Sequence, residues 1–206
     1  MHPEAKDFTQ FVRRILPEYF ENKIVLDVGS GDINGNNREL FQQCIYNGND
    51  VIPARNVTVV SRTKDLHFCC NYFDTIISTE CFEHDPDYQE SFRKIYNMLR
   101  PNGLFVFTCA SLNRPEHGTR RTSPNESYGT IGGNVEMQDY YKNLNVEDVY
   151  SILPFQTSFI KWDCYYNTKS NDIYFYGIKS GYNNKLEYPD YTEYTGEGVV
   201  RVVVRH

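Results

Sequence analysis

The feature that most constrains the fold is a continuous apolar run, Ile24-Val25-Leu26-Asp27-Val28, which carries one acid and passes straight into Gly29-Ser30-Gly31. A strand that is apolar on both faces must be covered on both faces, the situation of a parallel sheet rather than of a half-solvated antiparallel one. The two glycines mark a tight turn at the end of that strand, where the backbone can approach a ligand closely. Strand-like runs recur at residues 46–51, 57–61, 73–79 and 104–109. A helix is expected from about Asn37 to Cys44, and the spacing of Tyr88, Phe92, Ile95 and Leu99 predicts another between the last two strands. Asp87 followed three residues later by Glu90 reads as a capping box, and Arg100-Pro101-Asn102-Gly103 as a stop and turn. This alternation implies a parallel sheet with helices on both faces.

Ahead of it, Ala5, Phe8, Phe11, Val12, Ile15 and Leu16 share one helical face and Pro17 ends the pattern, so residues 4–16 are expected to form an amphipathic helix. Residues 112–141 are polar and rich in Gly, Pro, Asn, Arg and Ser, too long for an ordinary connection, and read as a lid or substrate loop. Asn145 can cap a short helix to about Leu153, and residues 155–166 and 172–179 read as an antiparallel pair closing the sheet. Residues 181–206 form a polar, tyrosine-rich tail until a valine run at 199–204, which reads as an edge strand, a partner-binding strand or a tail.

The glycine turn separates two kinds of ligand. Its spacing is Gly29-x-Gly31-x-x-x-Gly35, whereas a dinucleotide-binding turn places its third glycine where this chain has Asn34. Asp27 precedes the turn and Asp32 lies within it, and two carboxylates would repel a pyrophosphate. S-adenosylmethionine presents the opposite charges, a sulfonium and an α-ammonium, so a glycine turn bordered by acids suits its methionine end. Asp50, about 20 residues past the turn at the end of the second strand, is placed to accept hydrogen bonds from ribose hydroxyls. Asp65 and Leu66 follow the third strand and can frame adenine. A nicotinamide oxidoreductase is disfavoured by the same spacing and by the acid before the turn.

Three blocks in order are familiar: Val25-Leu26-Asp27-Val28-Gly29-Ser30-Gly31, then the stretch from Phe73-Asp74-Thr75 through Thr79-Glu80-Cys81-Phe82-Glu83-His84, then Leu99-Arg100-Pro101-Asn102-Gly103-Leu104. Together they resemble the type 11 class I methyltransferases, over about residues 1–180. Asn113-Arg114-Pro115-Glu116-His117-Gly118-Thr119 resembles a feature of an uncharacterised bacterial or viral branch, some of whose members sit among surface-glycan genes. The resemblance implies a Rossmann-like α/β fold, a three-layer α/β/α sandwich around a mostly parallel seven-stranded sheet whose last strand is antiparallel. It also implies S-adenosylmethionine as methyl donor, S-adenosylhomocysteine as product, and a site at the C-terminal strand ends. By position, Asp27, Val28, Gly29, Ser30 and Gly31 would line the methionine moiety, Asp50 and Val51 the ribose, Asp65 and Leu66 the adenine, and Thr79 and Glu80 the sulfonium side. Asp32-Ile33-Asn34-Gly35 departs from the family's third glycine, and the tail at 181–206 has no counterpart.

Methyl transfer is an in-line displacement from a good leaving group, so alignment supplies much of the acceleration. A hydroxyl or protonated amine acceptor also needs a base, for which Glu83, His84 and His117 are the candidates. Arg114, Glu116, Tyr140 and Tyr141 are the candidate acceptor-binding residues; Arg120, Arg121, Tyr128 and Trp162 lie in or near the same region. A net charge of −6 argues against a surface built for nucleic acid or an anionic membrane and favours a small or neutral acceptor, to which the resemblance adds a glycan-type one. No apolar run reaches the roughly 20 residues of a membrane span, and no signal-peptide layout opens the chain, so a cytoplasmic enzyme is expected. Six cysteines show neither a CxxC pair nor metal-ligand spacing, so reduced, mostly buried thiols and no metal are expected. The competing expectation is a S-adenosylmethionine-binding module without transfer activity, working through its terminal valine strand.

Overall fold

A computed structural model describes residues 2–181 and 193–202. Strands β1 (Ile24–Val28), β2 (Ile45–Asp50), β3 (Val59–Val60), β4 (Phe73–Thr79), β5 (Leu99–Ala110), β6 (Phe159–Asn167), β7 (Asp172–Lys179) and β8 (Val199–Arg201) form one sheet. Their order is β3-β2-β1-β4-β5-β7-β6-β8. Neighbours from β3 to β5 are parallel, and β7 inserts antiparallel between β5 and β6. This is the mostly parallel arrangement with an antiparallel last strand, to which β8 adds an eighth strand on the edge of β6. The chain leaves β1 toward β2 and returns to β4 on its other side, so a crevice opens where the strand order reverses.

Strand periodicity divides the core. Ile77, Leu104 and Val106 point to the face covered by helix α1 (Pro3–Ile15) through Phe8, Phe11 and Val12. Their neighbours Ile76, Phe105 and Phe107 point to the other face, covered by helix α2 (Tyr88–Met98) through Phe92 and Ile95. Three layers result, with α4 (Val146–Tyr150) and α5 (Phe155–Ser158) contributing Val149 and Phe155 on the α2 side. Phe107 is fully buried among aromatic rings, so truncating it to alanine should cost about 3–5 kcal/mol.

Several local expectations are corrected. Residues 37–44 hold only the 3-10 turn Arg38–Leu40, because nearby side chains take up the backbone: Gly35 N–H donates to Asp32 Oδ1 at 3.0 Å and Arg38 N–H to Asn36 Oδ1 at 2.9 Å. Asp87 stands at the start of α2 without a capping bond, since its carboxylate is held by Arg62 and Lys64. A capping box does form at α4, where Asn145 Oδ1 accepts from the Asp148 N–H at 2.8 Å and Asp148 Oδ2 from the Asn145 N–H at 3.0 Å. The strand expected from residue 155 begins at Phe159, because a helical turn starts after Pro154. Arg100–Gly103 lies inside β5 as an irregularity, with Asn102 at φ 61°. Residues 112–141 contain the short helix α3 (Tyr128–Ile131) and a 3-10 turn at Pro124–Glu126. Cys109 and Cys164 are buried, but Cys69 and Cys70 are exposed. Among the described residues no helix is long and apolar enough to cross a membrane.

Candidate active site

The crevice at the C-terminal ends of β1, β2 and β4 is a cavity of about 620 Å³, within the range that encloses a small ligand. Its floor is the turn after β1. Gly29 adopts φ +73°, and a Cβ there would lie 2.7 Å from the Cys81 Sγ; a Cβ on Gly31 would lie 2.0 Å from the ring of Tyr128. Only glycine lets this turn pass beneath those side chains. The carboxylate of Asp50 clamps it from the side, accepting the Gly31 N–H at 3.0 Å and the Val51 N–H at 2.8 Å.

Asp27 is 1% exposed and accepts hydrogen bonds from the Tyr46 hydroxyl at 2.5 Å and from Asn37 Nδ2 at 3.4 Å. Burial outweighs those bonds and, together with the charge of Asp50, lifts its carboxyl to about 7. Asn37 also donates to Thr79 Oγ1 at 3.1 Å, while its own Oδ1 is buried without a partner on the cavity wall. Among the described residues, a buried carboxylate with no ion pair thus stands beside an unpartnered carbonyl oxygen, an acceptor set complementary to an ammonium or sulfonium.

Glu80 closes the end of β4 in the left-handed region, φ 53°, a conformation that a non-glycine residue holds only when its surroundings enforce it. They do so here: Thr108 Oγ1 donates to Glu80 Oε1 at 2.8 Å, and His2 Nε2 lies 3.1 Å from Glu80 Oε2 and 2.8 Å from Asp172 Oδ2. Burial alone would raise the Glu80 carboxyl, but the His2 hydrogen bond and charge bring it down to about 2. Burial likewise works against charge on His2, yet Asp172 and Glu80 raise it to about 10. The start of α1 is thereby tied across the sheet by a charged imidazole on the cavity wall.

Just past Glu80, the 3-10 turn Phe82–His84 and the loop after β5 bring Glu83, His84 and His117 together. His84 and His117 line the cavity and Glu83 lies behind them. Burial pushes the Glu83 carboxyl well up, reinforced by Glu80, and pushes His84 down to about 3, reinforced by His117. Arg114 also reaches the cavity, anchored to the Ser170 carbonyl at 2.6 Å and to Asp172, and Glu116 stands beside it, bound by Thr119 and Arg121.

Of the expected cofactor residues, Asp27, Gly29, Ser30, Gly31, Asp50, Val51, Thr79 and Glu80 line the cavity. Val28 does not, being packed in the core, and neither do Asp65 and Leu66, since Leu66 faces the core and Asp65 faces solvent. Arg62 and Thr63, just ahead of them, occupy the wall instead. Tyr140 and Tyr141 stay off the wall, Tyr141 bracing the two histidine rings from behind at 5.6 and 5.0 Å between centroids. Trp162 packs on Phe155. Sequence reasoning missed His2, Asn37 and Tyr46 as site residues; the asparagine-rich run after the turn was the one local signal for Asn37.

A family model described as "Methyltransferase domain" matches residues 2–127. The chain belongs to the methyltransferase family. The resemblance drawn from the three sequence blocks therefore holds at family level. The methyltransferase fold is shared with solved structures at low identity. One is phosphoethanolamine N-methyltransferase 2 of Haemonchus contortus in complex with S-adenosyl-L-methionine: TM-score 0.58, 18% identity, covering 85% of this chain and 53% of that one. This methyltransferase chain thus spans about half the length of the nematode protein. Another is 1,6-didemethyltoxoflavin-N1-methyltransferase of Burkholderia thailandensis with bound 1,6-didemethyltoxoflavin and S-adenosylhomocysteine: TM-score 0.55, 14% identity, 86% and 80% covered. A SAM-dependent methyltransferase of Thermotoga maritima gives TM-score 0.55 at 13% identity, 85% and 89% covered. No curated protein matches the chain.

Proposed function

We propose that this protein transfers a methyl group from S-adenosylmethionine to a small-molecule or glycan-type acceptor. The observation that carries the reading is the glycine turn after β1, flanked by buried Asp27 and by Asp50, with the unpartnered Asn37 Oδ1 beside them. Asp27 and Asn37 would hold the cationic methionine end, and Asp50 the ribose. S-adenosylmethionine, when bound, supplies an electrophilic methyl group on a sulfonium.

The chain's own residues then have one task, holding the acceptor's nucleophile in line. His84, His117 and Arg114 form the wall from which an acceptor would be gripped, and the neutral His84 can accept a hydrogen bond from a hydroxyl there. The solved methyltransferases with small molecules bound support an acceptor of that size. A cavity about 620 Å³ in volume has room for a nucleoside and a compact acceptor together.

Calorimetry with S-adenosylmethionine, S-adenosylhomocysteine and NAD tests the cofactor, followed by transfer of labelled methyl to a panel of hydroxylated sugars and amines. Binding of NAD alone would overturn the reading. Tight S-adenosylmethionine binding with no turnover on any acceptor would favour a binding module, although β8 already spends one edge on β6 of the same chain.

A further inference from the structure

Beside the cofactor cradle, Glu83, His84 and His117 each offer one ligand-type atom, and the three atoms lie within 4.8 Å of one another. Among the described residues Glu83, 0% exposed, has no full hydrogen bond to either carboxyl oxygen, only the weak approach of its own and the Ala110 backbone N–H, and His84, 6% exposed, has no partner on Nδ1. A buried polar group left unpaired is costly, so native structures fill places of this kind with a water or an ion.

His117 decides between them. Its Nδ1 lies 3.2 Å from the carbonyl oxygen of Pro115, which also accepts the Tyr141 hydroxyl at 3.1 Å. A carbonyl can only accept, so Nδ1 carries a proton, and in the neutral imidazole Nε2 then presents its lone pair toward Glu83 Oε1, 4.0 Å away. That gap is too long for a hydrogen bond; tetrahedral ligation at about 2.0–2.2 Å would set the two atoms roughly 3.3–3.6 Å apart, which a side-chain shift of about half an ångström reaches. A backbone carbonyl that fixes the far nitrogen of an imidazole is also the usual support of a metal-binding histidine. The similarly composed group His2, Glu80 and Asp172 differs, because there His2 Nε2 already stands 3.1 Å from Glu80 Oε2 and 2.8 Å from Asp172 Oδ2 and ion-pairs with both carboxylates.

We propose that Glu83, His84 and His117 form a three-ligand site for a zinc-type divalent cation on the acceptor wall of the cavity. Two imidazoles and one carboxylate suit borderline metals such as zinc rather than magnesium. Because both histidines line the cavity, the fourth position opens into it, where a water or an acceptor oxygen can coordinate and be polarised. The site does not depend on the identity of the methyl donor.

The test uses the full chain carrying Cys69→Ser and Cys70→Ser, since those exposed thiols beside His67 are a rival metal trap. Cobalt(II) titration followed by absorption, and elemental analysis after dialysis against zinc, should give one equivalent with visible ligand-field bands and no thiolate charge-transfer band. His117→Ala, a change outside the core, and Glu83→Gln should each weaken binding at least about tenfold, whereas His67→Ala should not. Circular dichroism checks folding, and His117→Ala suffices if Glu83→Gln fails to fold. A chain that retains no metal, or the Glu83→Gln/His117→Ala double variant retaining it unchanged, overturns the proposal. Calorimetry with S-adenosylhomocysteine on the same samples separates the two readings: metal lost with nucleoside binding intact sinks only the cation site, and the converse sinks only the methyl donor.

Discussion

Ionisation of Asp27 should be coupled to cofactor binding. In the free protein its carboxyl sits at about 7, raised by burial and by Asp50 against the hydrogen bonds of Tyr46 and Asn37. A cation placed beside it stabilises the ionised form, so near neutrality a proton must leave as the ligand binds. The sign follows: below its free value Asp27 is protonated, and the ligand must first displace that proton, so affinity falls as pH falls. If the bound carboxyl titrates well below pH 6, the apparent affinity scales as 1/(1 + 10^(7 − pH)) and drops about tenfold between about pH 8 and pH 6. Asp27→Asn should remove that dependence and weaken binding at pH 8 by about 1.5–3 kcal/mol, or roughly 10- to 150-fold. The assay is titration calorimetry with S-adenosylmethionine across that range, in buffers of different ionisation heat so that proton release is counted directly. The ligand's own α-amino group titrates equally against both proteins, so the ratio of their affinities isolates Asp27. A ratio that does not change with pH would refute the reasoning.

Gly31→Ala drives a Cβ to 2.0 Å from the Tyr128 ring and 2.8 Å from Asp50 Oδ2, and should lower nucleoside affinity at least about tenfold. Partial recovery in Gly31→Ala/Tyr128→Ala is expected, and no loss in the single variant would mean that the turn has more room than its geometry shows. His2, raised to about 10 from 6.5, contributes stability that is complete below 6.5 and fades as pH climbs through 10. The difference in unfolding stability between wild type and His2→Gln should therefore shrink across that interval; parallel profiles would contradict the assignment. Asn145→Ala removes the acceptor for the Asp148 N–H and should cost about 1 kcal/mol in chemical denaturation. A change below about 0.3 kcal/mol would show the cap to be dispensable.

How much was legible depended on how local the determinant is. Ile24–Val28 and Phe73–Thr79 announce themselves as strands because two-sided burial gives each a run of consecutive apolar residues, Ile24–Leu26 and Ile76–Ile77, and Gly29 and Gly31 because the turn they make tolerates no Cβ. The carboxylates of Asp27 and Asp50 sit at strand ends, so their meeting at the turn follows from strand order alone. Where side chains compete with the backbone, local pattern misleads: the asparagines after Gly35 dissolve the expected helix, and Asp87 gives up its cap to Arg62 and Lys64. The charge pattern, the alternation and the glycine turn were thus determined by the sequence itself. Tertiary structure alone decided that His2 meets Glu80 and Asp172, that Tyr128 lies over Gly31, and that His117 Nε2 comes within 4.0 Å of Glu83 Oε1. Those meetings depend on where loops return after long excursions, and periodicity and propensity carry information only over neighbouring turns of chain.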